Sequence, residues 1–284
     1  MPMKYFFIGM MWFTLLNLGC QAMQKNRDFE LTELSLADAD FHVDITRYGA
    51  STPSDKALII LPPTGGVNLI DRSYARQFAK VGYDVFLLNS WTKPSEQPID
   101  LELHQRFYSR AQQALSIALK QIPSHFIGLL GTSVGALHAS VAASTQPRID
   151  AVFVIVGGTP ISEVIVTSDQ KAMQDLKAKR KIKYGFKNDE ENIIAIDHAF
   201  QLEPTRLAQI FKNKDLGMVM ALDDSTVPTK TQNQLRNLWQ PKVVINHSSS
   251  HFWGIIKAWW FNAEEIQNFF EQSFANKRPI NREK

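Results

Sequence analysis

The sequence has one cysteine, Cys20, among 284 residues. A single thiol excludes an intramolecular disulfide framework and any cysteine-rich metal site. Neither charge dominates: 31 Lys and Arg stand against 28 Asp and Glu, a net +3, too little for an electrostatic footprint on nucleic acid. There is no internal repeat and no long low-complexity tract. A Gly-rich phosphate loop and a dinucleotide fingerprint are both missing, so no cofactor is implied. Five of the seven histidines, His42, His104, His125, His138 and His198, have no partners at metal-ligand spacing and read as surface or satisfied core residues. What remains is an ordinary globular composition, 44% hydrophobic and 21% charged. The length suits one large α/β domain or two small ones.

The first residues read as a leader. Met1 to Lys4 is short and weakly basic, and Tyr5 to Leu18 is apolar apart from Thr14 and Asn17. That run is short for a spanning helix, which needs about 20 residues, and fits a signal-peptide core. Its end, Leu15 to Cys20, resembles a bacterial lipoprotein signal. The resemblance implies cleavage before Cys20, lipid on its thiol and a membrane anchor. With Gln21 rather than Asp next, it implies the periplasmic face of the outer membrane. Ordinary cleavage after Ala22 and an uncleaved anchor are the alternatives, and all three place the domain outside the cytoplasm. Residues 1–22 are thus a signal peptide, 23–40 a polar tether, 41–276 the folded domain and 277–284 a polar tail.

Within the domain, short apolar runs alternate with helical periods. Phe41 to Tyr48 alternates apolar and polar, as a half-buried edge strand does. Ala57–Leu61, Val85–Leu88, Phe126–Leu130, Ala151–Val156, Leu216–Leu222 and Lys242–Ile245 read as buried strands. Between them lie helices that start near Asp71, Asp100, Ala136 and residue 229. Leu101, Tyr108, Ala111, Leu115, Ala118 and Ile122 keep a helical period. Trp253 to Phe274 closes the chain as helix, divided in two if Asn262 and Glu265 form a capping box. Residues 159–214 interrupt the alternation, where an inserted cap over a site could lie. They carry a basic run, Lys177 to Lys183, that reads as a solvated helix face, with contact to anionic lipid head groups as the sharper alternative. Such alternation predicts a mostly parallel sheet with helices on both faces. Ligands then bind beyond the carboxyl ends of the strands.

Three side chains stand at those ends. Ser133 lies in Gly131-Thr132-Ser133-Val134-Gly135, a G-x-S-x-G turn between strand and helix. Asp224 follows a later strand within Asp224-Ser225-Thr226-Val227-Pro228, with Asp223 as rival. His251 follows the last strand, with His247 as rival. Trp91, Thr92, Gly157 and Gly158 also follow strands and serve a pocket or packing equally well. The Trp253, Trp259 and Trp260 group reads as core. A serine hydroxyl needs a base to take its proton, imidazole does this near neutral pH, and a carboxylate orients the imidazole.

The serine, acid, histidine order, with the elbow and the D-x-x-V-P stretch, resembles the α/β-hydrolase superfamily from about Phe41 to Phe274. The resemblance implies catalysis by Ser133, Asp224 and His251, with an oxyanion held by the backbone of Val134 and of Thr64 or Gly65. Pro62 and Pro63 have no N–H to offer. The expected activity is hydrolysis of a small-molecule carboxylic ester through an acyl-enzyme, with thioester, amide or acyl transfer open to the same site. The alternative is a non-catalytic envelope binding protein on the same scaffold.

Overall fold

The apolar runs become strands because β-branched and aliphatic residues sit on both faces of a covered sheet. The computed structural model describes residues 29–38, 41–90, 98–207 and 214–277. The leader with Cys20, Trp91 and Thr92, and most of the polar tail lie outside the described residues. Eight strands form one sheet: β1 (Phe29–Asp38), β2 (Phe41–Ala50), β3 (Lys56–Leu61), β4 (Asp84–Ser90), β5 (Phe126–Thr132), β6 (Ala151–Ile155), β7 (Asp215–Ala221) and β8 (Val243–His247). Their order is β1-β2-β4-β3-β5-β6-β7-β8. β1 and β2 pair antiparallel, as do β2 and β4, and every later pair is parallel.

Two expectations need correction here. Residues 29–38 are not tether: they form the edge strand, with Leu31, Leu34 and Leu36 opposite Tyr48, Ile45 and Val43. Leu34 and Leu36 share one face and pack on one core, Phe29 on the other face is buried in the second, and Leu31 is exposed, a pattern that a reading by composition passes over. β2 is accordingly second in the sheet rather than its edge.

Alternation along each strand divides the core in two. Ile59, Leu129, Val154 and Met218 face helices α2 (Leu101–Gln121), α3 (Val134–Thr145) and α8 (Thr229–Trp239). Leu58, Leu130, Phe153 and Val219 face α1 (Leu69–Lys80) and α9 (His251–Ala275). α9 is one continuous helix, not two. Asn262 bonds Glu265 side chain to side chain and also takes His247 Nε2 at 2.8 Å, so the apparent box tethers a helix interior to β8. Phe270 of α9 lies against the sheet where Gly128 leaves room; a Cβ there would come within 2.7 Å of its ring.

Between β6 and β7 the chain inserts α4 (Ile161–Thr167), α5 (Lys171–Tyr184), α6 (Asp189–Ala199) and a single turn α7 (Pro204–Leu207). This insert has its own apolar cluster, with Ile161, Val164, Leu176, Ile196 and Phe200 packed on Tyr108 and Leu137 of the main body. Among the described residues no helix is long and apolar enough to cross a membrane.

Asp71 shows a local cost. It completes the capping box of α1, accepting from Asn68 N at 2.9 Å while Asn68 Oδ1 caps Ile70 N. Burial pushes its carboxyl up to about 6. A folded pKa above the ordinary 3.8 means that ionised Asp71 opposes folding above pH 6, and that this cost fades as pH falls toward 4. Asp71→Asn keeps the acceptor and removes the charge. Its melting temperature is expected to exceed that of the parent at pH 7.5, by the equivalent of about 3 kcal/mol, with the gap closing between pH 6 and pH 4. Melts by circular dichroism across that range check it.

Candidate active site

Ser133 sits where β5 turns into α3, with φ 55° and ψ −116°. Few L-residues adopt this conformation, and it persists only where neighbours enforce it. The neighbours here are close. A Cβ on Gly135 would lie 2.1 Å from Leu61 O, and one on Gly131 would lie 2.5 Å from Gly135 O. Ser133 N donates to Ile155 O at 2.9 Å, which pins the turn to β6.

The structure brings Ser133, His251 and Asp224 together. Ser133 Oγ lies 2.9 Å from His251 Nε2, and His251 Nδ1 lies 2.7 Å from Asp224 Oδ2. A carboxylate only accepts, so Nδ1 carries the proton and Nε2 accepts from the serine hydroxyl. His251 is the first residue of α9, with Ser250 at the N-cap position and no side-chain cap bond, rather than a loop residue. Asp224 is fixed on every side. Its Oδ1 accepts from Thr226 N at 2.8 Å and Val227 N at 2.9 Å. Its Oδ2 also accepts from Gln232 Nε2 at 3.0 Å. The rivals point elsewhere: Asp223 is exposed, and His247 Nε2 is engaged by Asn262.

Thr64 and Val134 line the same cavity as Ser133, whereas Gly65 does not. Val134 opens α3, so its N–H has no intrahelical acceptor. Thr64 stands in a tight turn closed by Gly66 N to Pro63 O at 3.0 Å, with Gly66 at φ 82°. The cavity holds about 50 Å³, room for a few heavy atoms. The insert supplies one wall through Val164, Ile165 and Met173. Gly157 and Gly158 serve packing: a Cβ on Gly158 would meet Thr231 Oγ1 at 2.4 Å. Trp253 and Trp260 are exposed rather than core. Among the described residues no three His, Cys, Asp or Glu side chains cluster as a metal set.

Several residues of the site are not evident from motif. Gln232 is fully buried, takes Ala221 N at 3.0 Å on its Oε1 and gives Nε2 to Asp224 and to Val227 O. Its signal was a polar residue on the i, i+3, i+7 stripe with Leu235 and Trp239. Asp169 of the insert accepts from Ser225 Oγ at 2.5 Å and Thr226 Oγ1 at 2.8 Å, and these bonds hold its carboxyl below the ordinary range. Arg180 corrects the solvated reading of the basic run. It is wholly buried, donating through Nη2 to His104 Nδ1 at 2.6 Å. Burial, then the Arg180 charge, pushes His104 down to about 3.

Gln232→Leu leaves Asp224, Ala221 N and Val227 O without this partner. The expected loss in urea unfolding is about 2 kcal/mol or more. Gln232→Glu sets a second carboxylate against Asp224; its loss at pH 7.5 is expected to recover partly on acidification, as one of the pair takes up a proton.

No protein-family model matches the sequence, and comparison with curated proteins finds no match. Solved structures do resemble it. An acylaminoacyl peptidase from Pyrococcus horikoshii superposes with a TM-score of 0.65 at 15% identity, covering 88% of this chain but 42% of its own. The chain therefore spans less than half the length of that peptidase. An esterase from Pyrococcus furiosus gives 0.59 at 15% identity, over 86% of this chain and 93% of its own. Est1E from Butyrivibrio proteoclasticus gives 0.62 at 14% identity, over 86% and 99%. With its eight-stranded, mostly parallel sheet flanked by helices, the chain has the α/β-hydrolase fold.

Proposed function

We propose that this protein is a serine hydrolase that cleaves a carboxylic ester with a short acyl group through an acyl-enzyme. The observation that carries the reading is the hydrogen-bonded series from Ser133 Oγ through His251 to Asp224, opening on a cavity. Ser133 Oγ attacks the carbonyl carbon while its proton passes to His251 Nε2. The tetrahedral oxyanion is held by the N–H groups of Val134 and Thr64, donors of a kind worth roughly 3 kcal/mol each. The C–O bond to the leaving group breaks, and that oxygen takes the proton from His251. Water then repeats the sequence, giving its proton to Nε2 and its oxygen to the acyl carbon, and Ser133 is restored. Asp224 stays ionised throughout and fixes the imidazole, itself held by four donors.

The strained backbone at Ser133 favours catalysis over a binding role for the scaffold, since a binder has no need to present that hydroxyl at such a cost. An ester is favoured over a peptide because the esterase neighbour is matched along nearly its whole length and the peptidase along less than half. From the sequence alone we add that the leader exports the protein and that lipid on Cys20 anchors it to the outer membrane, facing the periplasm.

A fluorophosphonate probe is expected to label the protein once, with the adduct on Ser133 by peptide mass spectrometry. Ser133→Ala is expected to lose the label and to cut ester turnover by about three orders of magnitude or more. Labelling that persists in Ser133→Ala refutes the assignment.

A further inference from the structure

The cavity beside Ser133 is lined by apolar Leu137, Val164, Ile165 and Met173, with His104 and Tyr108 among its polar residues beside Thr64, Ser168, Gln170 and Thr226. These two lie four residues apart on α2 and so share a face. His104 Nδ1 must be the acceptor in its bond with Arg180, because a guanidinium has donors only. The neutral ring therefore carries its proton on Nε2. Among the described residues that N–H has no partner, and His104 lines the cavity. The Tyr108 hydroxyl likewise has no partner among the described residues, and Tyr108 lines the same cavity.

Arg180 stands behind them. It is 0% exposed and has no carboxylate within ion-pair range among the described residues. Its Nε and Nη2 reach the carbonyls of Ile99 and Pro98 at 3.0 Å, and Nη1 finds no acceptor. Burying a cation on these terms is costly. What it secures is the orientation and tautomer of His104, and through them a fixed N–H on a residue that lines the cavity. A purely aliphatic occupant would leave both donors dry, a penalty of about tenfold or more in binding for each.

We propose that the cavity takes a short acyl group bearing an oxygen acceptor, an ether or carbonyl oxygen along the chain, that accepts from His104 Nε2–H and Tyr108 O–H, with Arg180 as the positioning residue for His104. This rests on Ser133 as the nucleophile. The test compares two esters of equal chain length, 4-nitrophenyl 3-methoxypropanoate and 4-nitrophenyl pentanoate. The quantity read is the ratio of their kcat/KM values within each protein, so that intrinsic reactivity cancels between proteins. The ratio is expected to fall by about tenfold or more in His104→Leu, by a smaller factor in Tyr108→Phe, and to stay near the parent in His104→Gln, whose amide keeps an N–H. A ratio that does not move in His104→Leu, even with both rates reduced, overturns the proposal. Should His104→Leu fail to fold, Tyr108→Phe, which loses a single oxygen, decides by the same criterion. For Arg180, nitrogen spectra of histidine-labelled protein at pH 7 are expected to show His104 as the Nε2–H tautomer, with mixed tautomers in Arg180→Gln. An Nδ1–H form in the parent overturns its role. Fluorophosphonate labelling separates the two levels: a labelled parent with unmoved ratios refutes the acyl site alone, and an unlabelled, inert parent refutes both readings.

Discussion

A backbone contact governs the geometry of this protein. α3 runs so close to the ends of β3 and β5 that Gly135 lies against the Leu61 carbonyl with no space for a methyl group. That approach forces the chain to reverse within one residue, and Ser133 takes the left-handed conformation the reversal needs. Its hydroxyl is thereby lifted above the carboxyl edge of the sheet while its own N–H stays tied to β6. Any looser packing of α3 would relax the turn and lower the serine back into the sheet. The placement of the Ser133 hydroxyl is therefore a property of helix–sheet packing, and the two apolar cores that clamp the sheet sustain it.

The rest of the site is built against that fixed point. β7 and β8 are parallel neighbours, so the segments after them emerge on the same edge as the elbow. The loop after β7 folds back on Asp224 through Thr226 and Val227, and α8 returns Gln232 beneath it. The first turn of α9 then sets His251 between acid and serine. The inserted helices share this support: Asp169 holds Ser225 and Thr226, next to Asp224, and Glu203 ties Thr159 and Ile161 at the root of the insert. Burial pushes the Glu203 carboxyl up even so, which marks the root of the insert as another place where packing holds a group that water would prefer.

Much of this was legible because the sheet is parallel. Continuous apolar runs such as Ala57–Leu61 and Ala151–Val156 announce strands covered on both faces, and the residues just after them are few. The G-x-S-x-G turn carries a steric reason for each glycine, and with an apolar strand before it and a small-residue helix after it the turn at Ser133 could be read from the sequence. β1 could not, because its leucines are diluted by charged residues and gain meaning only once β2 is beside them. Arg180 was hidden for a related reason. In a run with Lys177, Lys179, Lys181 and Lys183 the charges look alike, and only the i, i+4 relation to Leu176 separates the one that faces inward. His104 and Gln232 each broke an apolar helical stripe, a pattern that names a buried polar residue without naming its partner. Pairings across 76 residues, as between His104 and Arg180, are set by how the insert docks, and no local period encodes that.

Several of the local costs in this protein meet around the site. The strained turn at Ser133, the buried charge of Arg180 and the destabilised carboxyl of Glu203 all lie on the carboxyl side of the sheet or in the helices that cover it. On the opposite, amino side Lys242 pairs with Asp215, Arg47 with Asp84 and Lys277 with Asp150, each at a partly exposed rim where charges cost little, although burial also pushes the Lys214 ammonium down to about 8 there and leaves the Tyr83 hydroxyl without a partner among the described residues. The concentration of a strained turn and a buried charge around one group of side chains follows if the carboxyl face is held in shape for chemistry. His104 and Tyr108 belong to this face, and their donors, unpartnered among the described residues, are the part of its expense that the bonded series Ser133–His251–Asp224 does not explain.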